Sequence, residues 1–340
     1  MKASRICQRA LVLAIAGLAV GVTACSSGSS ATTGGSASGG ATGAPELSTI
    51  TIGAVLSADT VTLQIAKDKG FFKQQGLNVN LITEQTTNQT AAGLISHTMD
   101  FGDQNYIGML EQQKTVPGLS QRVVADDTQA SMDNDVLIVG KSSKLTSIAQ
   151  LKGKKVSIPA LGTNFAAVAL DVLMKPYNMT SADYTTVVVP FANAAQALAR
   201  NEVDAAFVIE PFITTAEAAA GDRVLVDMTT GALSDFPITC WVTSASFAQQ
   251  NPKTVAAFQR AMASALQVAA TNPSYVRSEL PKLIPAMKPT IANVINLPTY
   301  NTTLSLTRLE RVADVMKQVG ALPKNFDVKS MYDPLAGSAS

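Results

Sequence analysis

A set of polar and aromatic residues lies where the sequence pattern places the ends of strands and the starts of the helices that follow them. In open α/β sheets, ligands bind in the crevice at the carboxyl ends of the strands. Hydroxyl, amide and helix N-terminal N–H groups can bind polar ligand groups there, and aromatic rings can form a pocket wall. The predicted ligand-binding residues are Ser57, Asp59, Gln104, Asn105, Tyr106, Asp126, Asp127, Thr163, Asn164, Phe165, Glu210, Phe212 and Trp241.

Several of these residues also have a purely structural interpretation. Those that could serve only as helix caps are Ser57, Asp59, Thr163 and Asn164. Those that could belong to the core are Phe212 and Trp241, and those that could be solvated turn residues are Asp126 and Asp127. Glu210 is favoured as a ligand contact because it precedes Pro211 at the end of a predicted strand.

The charges of the predicted cleft restrict the ligand. Its carboxylates would be Asp59, Asp103, Asp126, Asp127 and Glu210, and no Arg or Lys is among the predicted binding residues. This disfavours a small, highly charged anion held by a basic clamp. It favours a neutral, zwitterionic or amine-bearing organic molecule with an aromatic or heterocyclic part.

The residues that usually carry catalysis or bind metals are sparse. No Gly-x-Ser-x-Gly elbow, Walker loop, dinucleotide fingerprint or Cys/His cluster occurs, and His97 is the single histidine. His97 is predicted to end a helix at the surface, and Cys240 to be a small buried residue. The sequence therefore predicts no enzyme, no cofactor and no metal site.

Alternating patterns predict the elements that position the candidate residues. The predicted strands are Ser48–Val55, Leu77–Thr83, Gln121–Ala125, Val136–Gly140, Lys155–Pro159, Thr185–Val189, Ala205–Ile209 and Arg223–Val226. The predicted helices lie near Thr60–Lys69, Thr87–Ser96, Asn105–Gln113, Asn164–Lys175, Ala192–Ala199 and Pro211–Ala219. This alternation favours βαβ units and parallel sheets. After about Ser244 the pattern is mainly helical, and Pro252 is placed at the start of a helix that runs to about Ala270.

The N-terminal segment is typical of export. A basic start, an apolar run from Ala10 to Val22 and small residues before Cys25 predict a signal peptide over residues 1–24. The Val22–Cys25 sequence resembles the lipobox of bacterial lipoproteins, which implies a lipidated Cys25. Residues 26–44 are all Ser, Gly, Ala or Thr, so residues 25–45 are expected to form a lipidated, disordered tether. Without the signal peptide the net charge changes from +1 to −2, because that peptide has three basic and no acidic residues. This balance gives no indication of nucleic-acid binding.

Four segments in order carry a resemblance to a known family. They are residues 66–79, residues 151–164, residues 201–212 and residues 246–252. Together they resemble the substrate-binding lipoproteins of ABC importers, in the sulfonate, nitrate, taurine and thiamine-pyrimidine group (NMT1/THI5-like, SsuA-like). His97 and Asn201, each placed at the end of a predicted helix, replace glycines that are usual in this group, and a left-handed conformation can accommodate both. The cysteine-rich stretch of the group's pyrimidine-forming enzymes is missing.

The resemblance implies a type II periplasmic-binding-protein fold, with two α/β lobes and a ligand cleft between them. The first lobe would contain residues 46–138 and 242–335 and the second residues 139–241, with hinge crossings near Val136–Gly140 and Ile238–Thr243. The implied function is capture of a small molecule by cleft closure and delivery to an ABC permease and its ATPase. The protein would be a monomer, lipid-anchored on the outer face of the bacterial cell membrane. A pyrimidine-precursor-forming enzyme and a non-transport sensor stay open as alternatives.

Overall fold

A computed structural model of the protein describes residues 43–162 and 164–334. The strands are β1 (Thr49–Val55), β2 (Asn78–Glu84), β3 (Phe101–Asn105), β4 (Gln121–Asp126), β5 (Thr128–Gln129), β6 (Asp135–Val139), β7 (Lys155–Ile158), β8 (Thr185–Val188), β9 (Ala205–Ile209), β10 (Arg223–Asp227), β11 (Thr239–Ser244) and β12 (Thr299–Tyr300). The α-helices are α1 (Val61–Asp68), α2 (Phe71–Gln74), α3 (Asn88–Ile95), α4 (Tyr106–Thr115), α5 (Phe165–Met174), α6 (Ala194–Ala199), α7 (Phe212–Ala220), α8 (Ala245–Gln250), α9 (Pro252–Thr271), α10 (Pro273–Leu283), α11 (Pro289–Ala292) and α12 (Leu306–Gln318). The strands and helices that the sequence predicted are all present within about two residues at each end, an offset expected at frayed termini.

Two five-stranded sheets form the framework, in the orders β2-β1-β3-β11-β4 and β10-β6-β9-β7-β8. In the first sheet β1 runs parallel to β2 and β3, whereas β11 runs antiparallel to β3 and β4. In the second sheet β7 runs parallel to β8 and β9, whereas β6 runs antiparallel to β9 and β10. The prediction of parallel sheets is therefore wrong for β6, and β11, which is not among the predicted strands, is also antiparallel to its neighbours. The chain reaches each of these strands directly from the other sheet, without an intervening α-helix. Parallel pairing requires such a crossover helix, so both strands pair antiparallel.

The strand pairing also indicates where the chain passes between the sheets. The predicted lobe boundaries place residues 135–138 in the first lobe and residues 239–241 in the second. Strand β6 pairs in the second sheet from Asp135 onward, and β11 pairs in the first sheet from Thr239 onward. The chain therefore passes from one sheet to the other before Asp135 and before Thr239, and the lobe boundaries and hinge positions stay a prediction.

The two sheets are connected by a shared apolar core. One cluster of buried side chains includes Val123 of β4, Leu137 of β6 and Val242 of β11. A second cluster packs α1, α9 and α10 against the first sheet, where the rings of Phe101 and Phe258 stack with centroids 4.0 Å apart. This apolar burial is the dominant favourable term in folding and fixes the strand ends that carry the polar residues.

Helix termini behave as the sequence predicted at two positions. His97 and Asn201 follow α3 and α6 with φ values of 56° and 55°, and both are exposed. A left-handed residue at this position ends a helix, so the prediction that His97 terminates a helix at the surface is confirmed. Within residues 43–162 and 164–334, no helix has the length and apolar character needed to cross a membrane.

Candidate functional site

A cavity of about 860 Å³, counting its open mouth, is lined by residues of both sheets. The first sheet contributes the segments after β1 and β2 and the end of β3. The second sheet contributes the segment after β7 and the inner face of β9. The cavity thus lies where the rule for α/β sheets predicts a ligand, at the carboxyl ends of strands.

Five of the predicted ligand-binding residues line this cavity: Ser57, Asp59, Asn105, Asn164 and Phe165. Asn105 caps α4, since its Oδ1 accepts from the backbone N–H groups of Ile107 (3.0 Å) and Gly108 (3.4 Å). Asn164 caps α5 through the backbone N–H of Ala167 (3.1 Å). The capping role and the cavity-lining role therefore coincide at these residues. The predicted residue Thr163 lies outside the described residues.

Three predicted residues are placed away from the cavity in polar contacts. The Gln104 amide donates to Gln112 Oε1 (3.0 Å), and the Tyr106 hydroxyl donates to Asp126. Asp126 also pairs with the Arg308 guanidinium, whose Nε lies 2.6 Å from Asp126 Oδ2. Burial raises the pKa of Asp126 to about 6, although the Arg308 charge opposes the shift. Asp126 lines a separate recess of about 620 Å³.

The other four predicted residues pack or bridge beside the cavity. Asp127 is buried and its Oδ1 accepts from the Thr62 hydroxyl (2.9 Å). Trp241 lies fully buried in the core, edge-on to Phe258. Phe212 is half-buried and stacks on Phe191, with ring centroids 5.7 Å apart.

Glu210 connects residues that are far apart in the chain. Its Oε1 accepts from the Thr214 hydroxyl (2.7 Å) and from the backbone N–H of Asn296 (3.1 Å). Its backbone carbonyl accepts from the N–H of Ala58 (3.4 Å). Glu210 lies at the end of β9 in the second sheet, whereas Ala58 follows β1 in the first. The structure thus gives Glu210 a bridging position between the two sheets, and it is absent from the cavity lining.

Three carboxylates line the cavity, from Asp59, Asp103 and Asp135, and all three side chains are buried. Asp59 accepts from the hydroxyls of Thr128 (3.0 Å) and Ser57 (3.2 Å). Among the described residues, Asp103 Oδ1 has no hydrogen-bond partner, and no Lys or Arg side chain lines the cavity.

Burial raises the pKa of each of these carboxyl groups, because the cavity wall offers little solvation to a negative charge. For Asp103 the pKa rises well above its usual range, and the charges of Asp59 and Glu84 add to the effect. For Asp135 the cause is again burial first, followed by the charge of Asp59. The cavity is therefore an acidic site in which every added negative charge is unfavourable.

A cluster of aromatic rings from β9 and the segments next to the second sheet also lines the cavity. Phe165, Phe191 and Phe207 all line the cavity, and the ring centroids of Phe165 and Phe191 each lie 5.9 Å from that of Phe207. Such a cluster offers flat apolar surface to a ring-bearing ligand.

Several lining residues were not among the sequence predictions. They are Val55, Gln85, Thr86, Thr87, Asn88, Gly108, Asp135, Pro159, Ala160, Leu161, Ala166, Phe191, Phe207, Ile209, Ile238 and Thr239. Asp103 also lines the cavity, as expected for a carboxylate of the predicted cleft. The strand-end rule, applied to β2 and β7 as well, would have found residues 85–88 and 159–161. Phe207 lies inside a strand and Asp135 begins one, and no sequence pattern shows which face of a buried strand meets a cavity. Within residues 43–162 and 164–334, no group of three or more His, Cys, Asp or Glu side chains is arranged to hold a metal ion.

Comparison with known proteins identifies the family. The sequence model described as NMT1/THI5 like matches residues 57–275. The chain belongs to the NMT1/THI5-like family. The resemblance predicted from the four sequence segments is therefore confirmed. The 4-amino-5-hydroxymethyl-2-methylpyrimidine phosphate synthase of Uromyces fabae is 23% identical over 281 residues, which are 77% of this chain and 80% of that protein.

Solved structures of two ligand-binding proteins have the same fold as this NMT1/THI5-like protein. The alkanesulfonate-binding protein SsuA from Xanthomonas axonopodis pv. citri, bound to MOPS, matches with a TM-score of 0.71 and 18% identity, over 85% of this chain and 99% of that one. The periplasmic nitrate-binding protein NrtA from Synechocystis PCC 6803 matches with a TM-score of 0.67 and 17% identity, over 85% and 86%. The predicted periplasmic-binding-protein fold is thus confirmed.

Proposed function

We propose that this NMT1/THI5-like protein captures a small organic molecule in the cavity between its sheets and delivers it to the permease of an ABC importer. The observation that carries the proposal is a cavity lined by both sheets, in a fold that binding proteins for alkanesulfonates and nitrate share. Its lining combines apolar and aromatic side chains with a few polar groups, as is usual in pockets for small organic ligands. The experiment is a thermal-shift screen of small molecules, because a ligand that binds only the folded state raises the apparent melting temperature. Deletion of the gene should then abolish uptake of the ligand, and unchanged uptake would exclude the transport role.

Closure of two lobes over the ligand is the second part of the proposal. The lobes would be built on the two sheets, with hinges in residues 130–134 and 228–238, where the chain passes between them. Hinge closure around a ligand is a recognised two-state motion. The contacts of Glu210 with Asn296 and Ala58 support it, since they connect the two sheets beside the cavity. Small-angle scattering with and without ligand tests closure, and an unchanged radius of gyration would contradict it.

Lipid anchoring at Cys25 is a further part of the proposal, and it depends on residues outside the described part of the chain. Its support is the basic start, apolar run and small-residue sequence before Cys25. A Cys25→Ser variant should be released from the membrane fraction, whereas the native protein should partition with it. Equal partitioning of both proteins would exclude this anchor. Light scattering of the purified protein tests the proposed monomeric state.

A pyrimidine-forming activity is the second candidate function, because it is the activity for which the curated relative is named. The structure offers little for it, since His97 lies exposed at a helix end and does not line the cavity. Coenzyme absorbance in the purified protein, together with formation of a pyrimidine product, would favour the enzyme over the binding protein. A sensor with the same fold would bind the ligand without changing its uptake.

A further inference from the structure

The cavity holds a buried carboxylate oxygen that lacks a partner. Asp103 is 3% exposed, and its Oδ1 makes no hydrogen bond with any described residue. A buried polar atom without a partner is costly, so proteins seldom retain one unless something else binds there. Asp103 lines the cavity, so a ligand there can approach this carboxyl group and offer it a donor.

The neighbours of Asp103 determine the sign of the charge that fits. Asp59 and Asp135 line the same cavity, and Glu84 lies close enough for its charge to act on Asp103. No Lys or Arg among the described residues lines the cavity to offset them. An anionic ligand would add repulsion to this site, whereas a ligand with N–H donors and positive charge would satisfy Asp103 Oδ1 and reduce repulsion among the carboxylates.

The cation is organic for two reasons. The described carboxylates do not form a metal-binding group of three. The same cavity is lined by Phe165, Phe191 and Phe207, which suit a flat ring and also attract positive charge through their faces.

We propose that the ligand is an aromatic or heteroaromatic cation, whose protonated amine or amidinium binds Asp103 and Asp59 while its ring packs against Phe165, Phe191 and Phe207. This inference rests on the proposed binding function and narrows it to one class of molecule. The cationic group lies on the side of the first sheet and the ring on the side of the second, so the ligand itself connects the two sheets. Binding and closure would then be one event.

Isothermal titration with matched probes tests the charge. Benzamidine and 2-phenylethylamine are the cations, benzamide and 2-phenylethanol their neutral counterparts, and benzoate and benzenesulfonate the anions. We expect each cation to bind about tenfold or more tightly than its neutral counterpart, since hydrogen bonds to charged groups are the stronger ones. Neutral or anionic probes that bind as tightly as the cations would overturn the cation inference and leave the proposed binding function standing. Failure of both cations to bind would also overturn the cation inference. The transport role is tested separately by measuring uptake after gene deletion.

A nearly isosteric variant tests the residue. Asp103→Asn keeps the shape but cannot ionise when a cation binds, and we expect it to weaken cation binding about tenfold or more and to narrow the affinity difference between each cation and its neutral counterpart. The matched control is Asp314→Asn, which makes the same change at a carboxylate that is 66% exposed and does not line the cavity. A second variant, Phe207→Leu, should weaken both cationic and neutral ring ligands. Melting curves establish that each variant folds, and equal cation affinity in Asp103→Asn and the native protein would refute the role of Asp103.

Discussion

Glu84 makes the stability of this protein depend on pH in a direction that can be derived from the structure. Its side chain is 3% exposed at the end of β2, beside the cavity. Glu84 Oε2 accepts from the Thr90 hydroxyl (2.7 Å), and Oε1 has no partner among the described residues. Burial raises the pKa of Glu84 from 4.5 to about 7, because one hydrogen bond does not replace the lost hydration.

The sign of the effect follows from proton binding. Below pH 4.5 the carboxyl is protonated in both the folded and the unfolded chain, so it contributes no difference. Between pH 4.5 and about 7 the folded state keeps a proton that the unfolded state has lost, so the free energy of unfolding decreases as the pH rises. Above pH 7 the full penalty is present. Each unit of pKa difference corresponds to about 1.4 kcal/mol, so the raised pKa of Glu84 lowers the free energy of unfolding by at most about 3 kcal/mol. Partial hydration of the carboxylate reduces this loss to about 1–2 kcal/mol.

The variant Glu84→Gln should remove this penalty. We expect its free energy of unfolding to exceed that of the native protein by about 1–2 kcal/mol at pH 8 and to be equal within about 0.5 kcal/mol at pH 4.5. Urea unfolding followed by the fluorescence of Trp241, the only tryptophan and a buried one, measures both values. The control is Glu202→Gln, which makes the same change at an exposed site. The Glu202 side chain is 55% exposed and its ion pair with Arg200 is long, at 3.7 Å, so the variant should not change the pH dependence. A pH dependence in Glu84→Gln identical to that of the native protein would refute the reasoning.

Three further predictions concern the framework of the site. Gly102→Ala should lower the free energy of unfolding by about 1–3 kcal/mol, because the added Cβ would overlap the Thr90 side chain, whereas Gly108→Ala meets nothing within 4 Å and should not destabilise. Urea unfolding compares the two, and equal values would contradict the packing argument. Cys240 is fully buried, and burial together with nearby carboxylates raises the pKa of its thiol. Iodoacetamide should therefore label Cys240 only after the protein unfolds, and peptide mass spectrometry measures this labelling. Glu210→Gln should lower stability by about 1–3 kcal/mol, since an amide cannot accept every hydrogen bond that the carboxylate accepts; an unchanged urea midpoint would disprove the bridging role.

Much of the framework was predictable because its signals are local. Runs of β-branched residues gave the strands, and residues tolerant of positive φ gave the ends of α3 and α6 at His97 and Asn201. The strand-end rule likewise found Ser57, Asp59 and Asn105, because a residue that follows a strand is visible in the sequence.

Other features depend on contacts between distant parts of the chain. The direction of β6 and β11 depends on which sheet each strand joins, and the composition of a buried strand does not contain that information. Glu210 and Phe212 follow a strand as the rule requires, yet neither lines the cavity. Phe212 packs on Phe191, and Glu210 bridges to Asn296. The sequence by itself determined the elements, their ends and the family, because those depend on neighbouring residues. Only the tertiary structure decided which carboxylates share one cavity with which rings, because that juxtaposition arises from packing two sheets together.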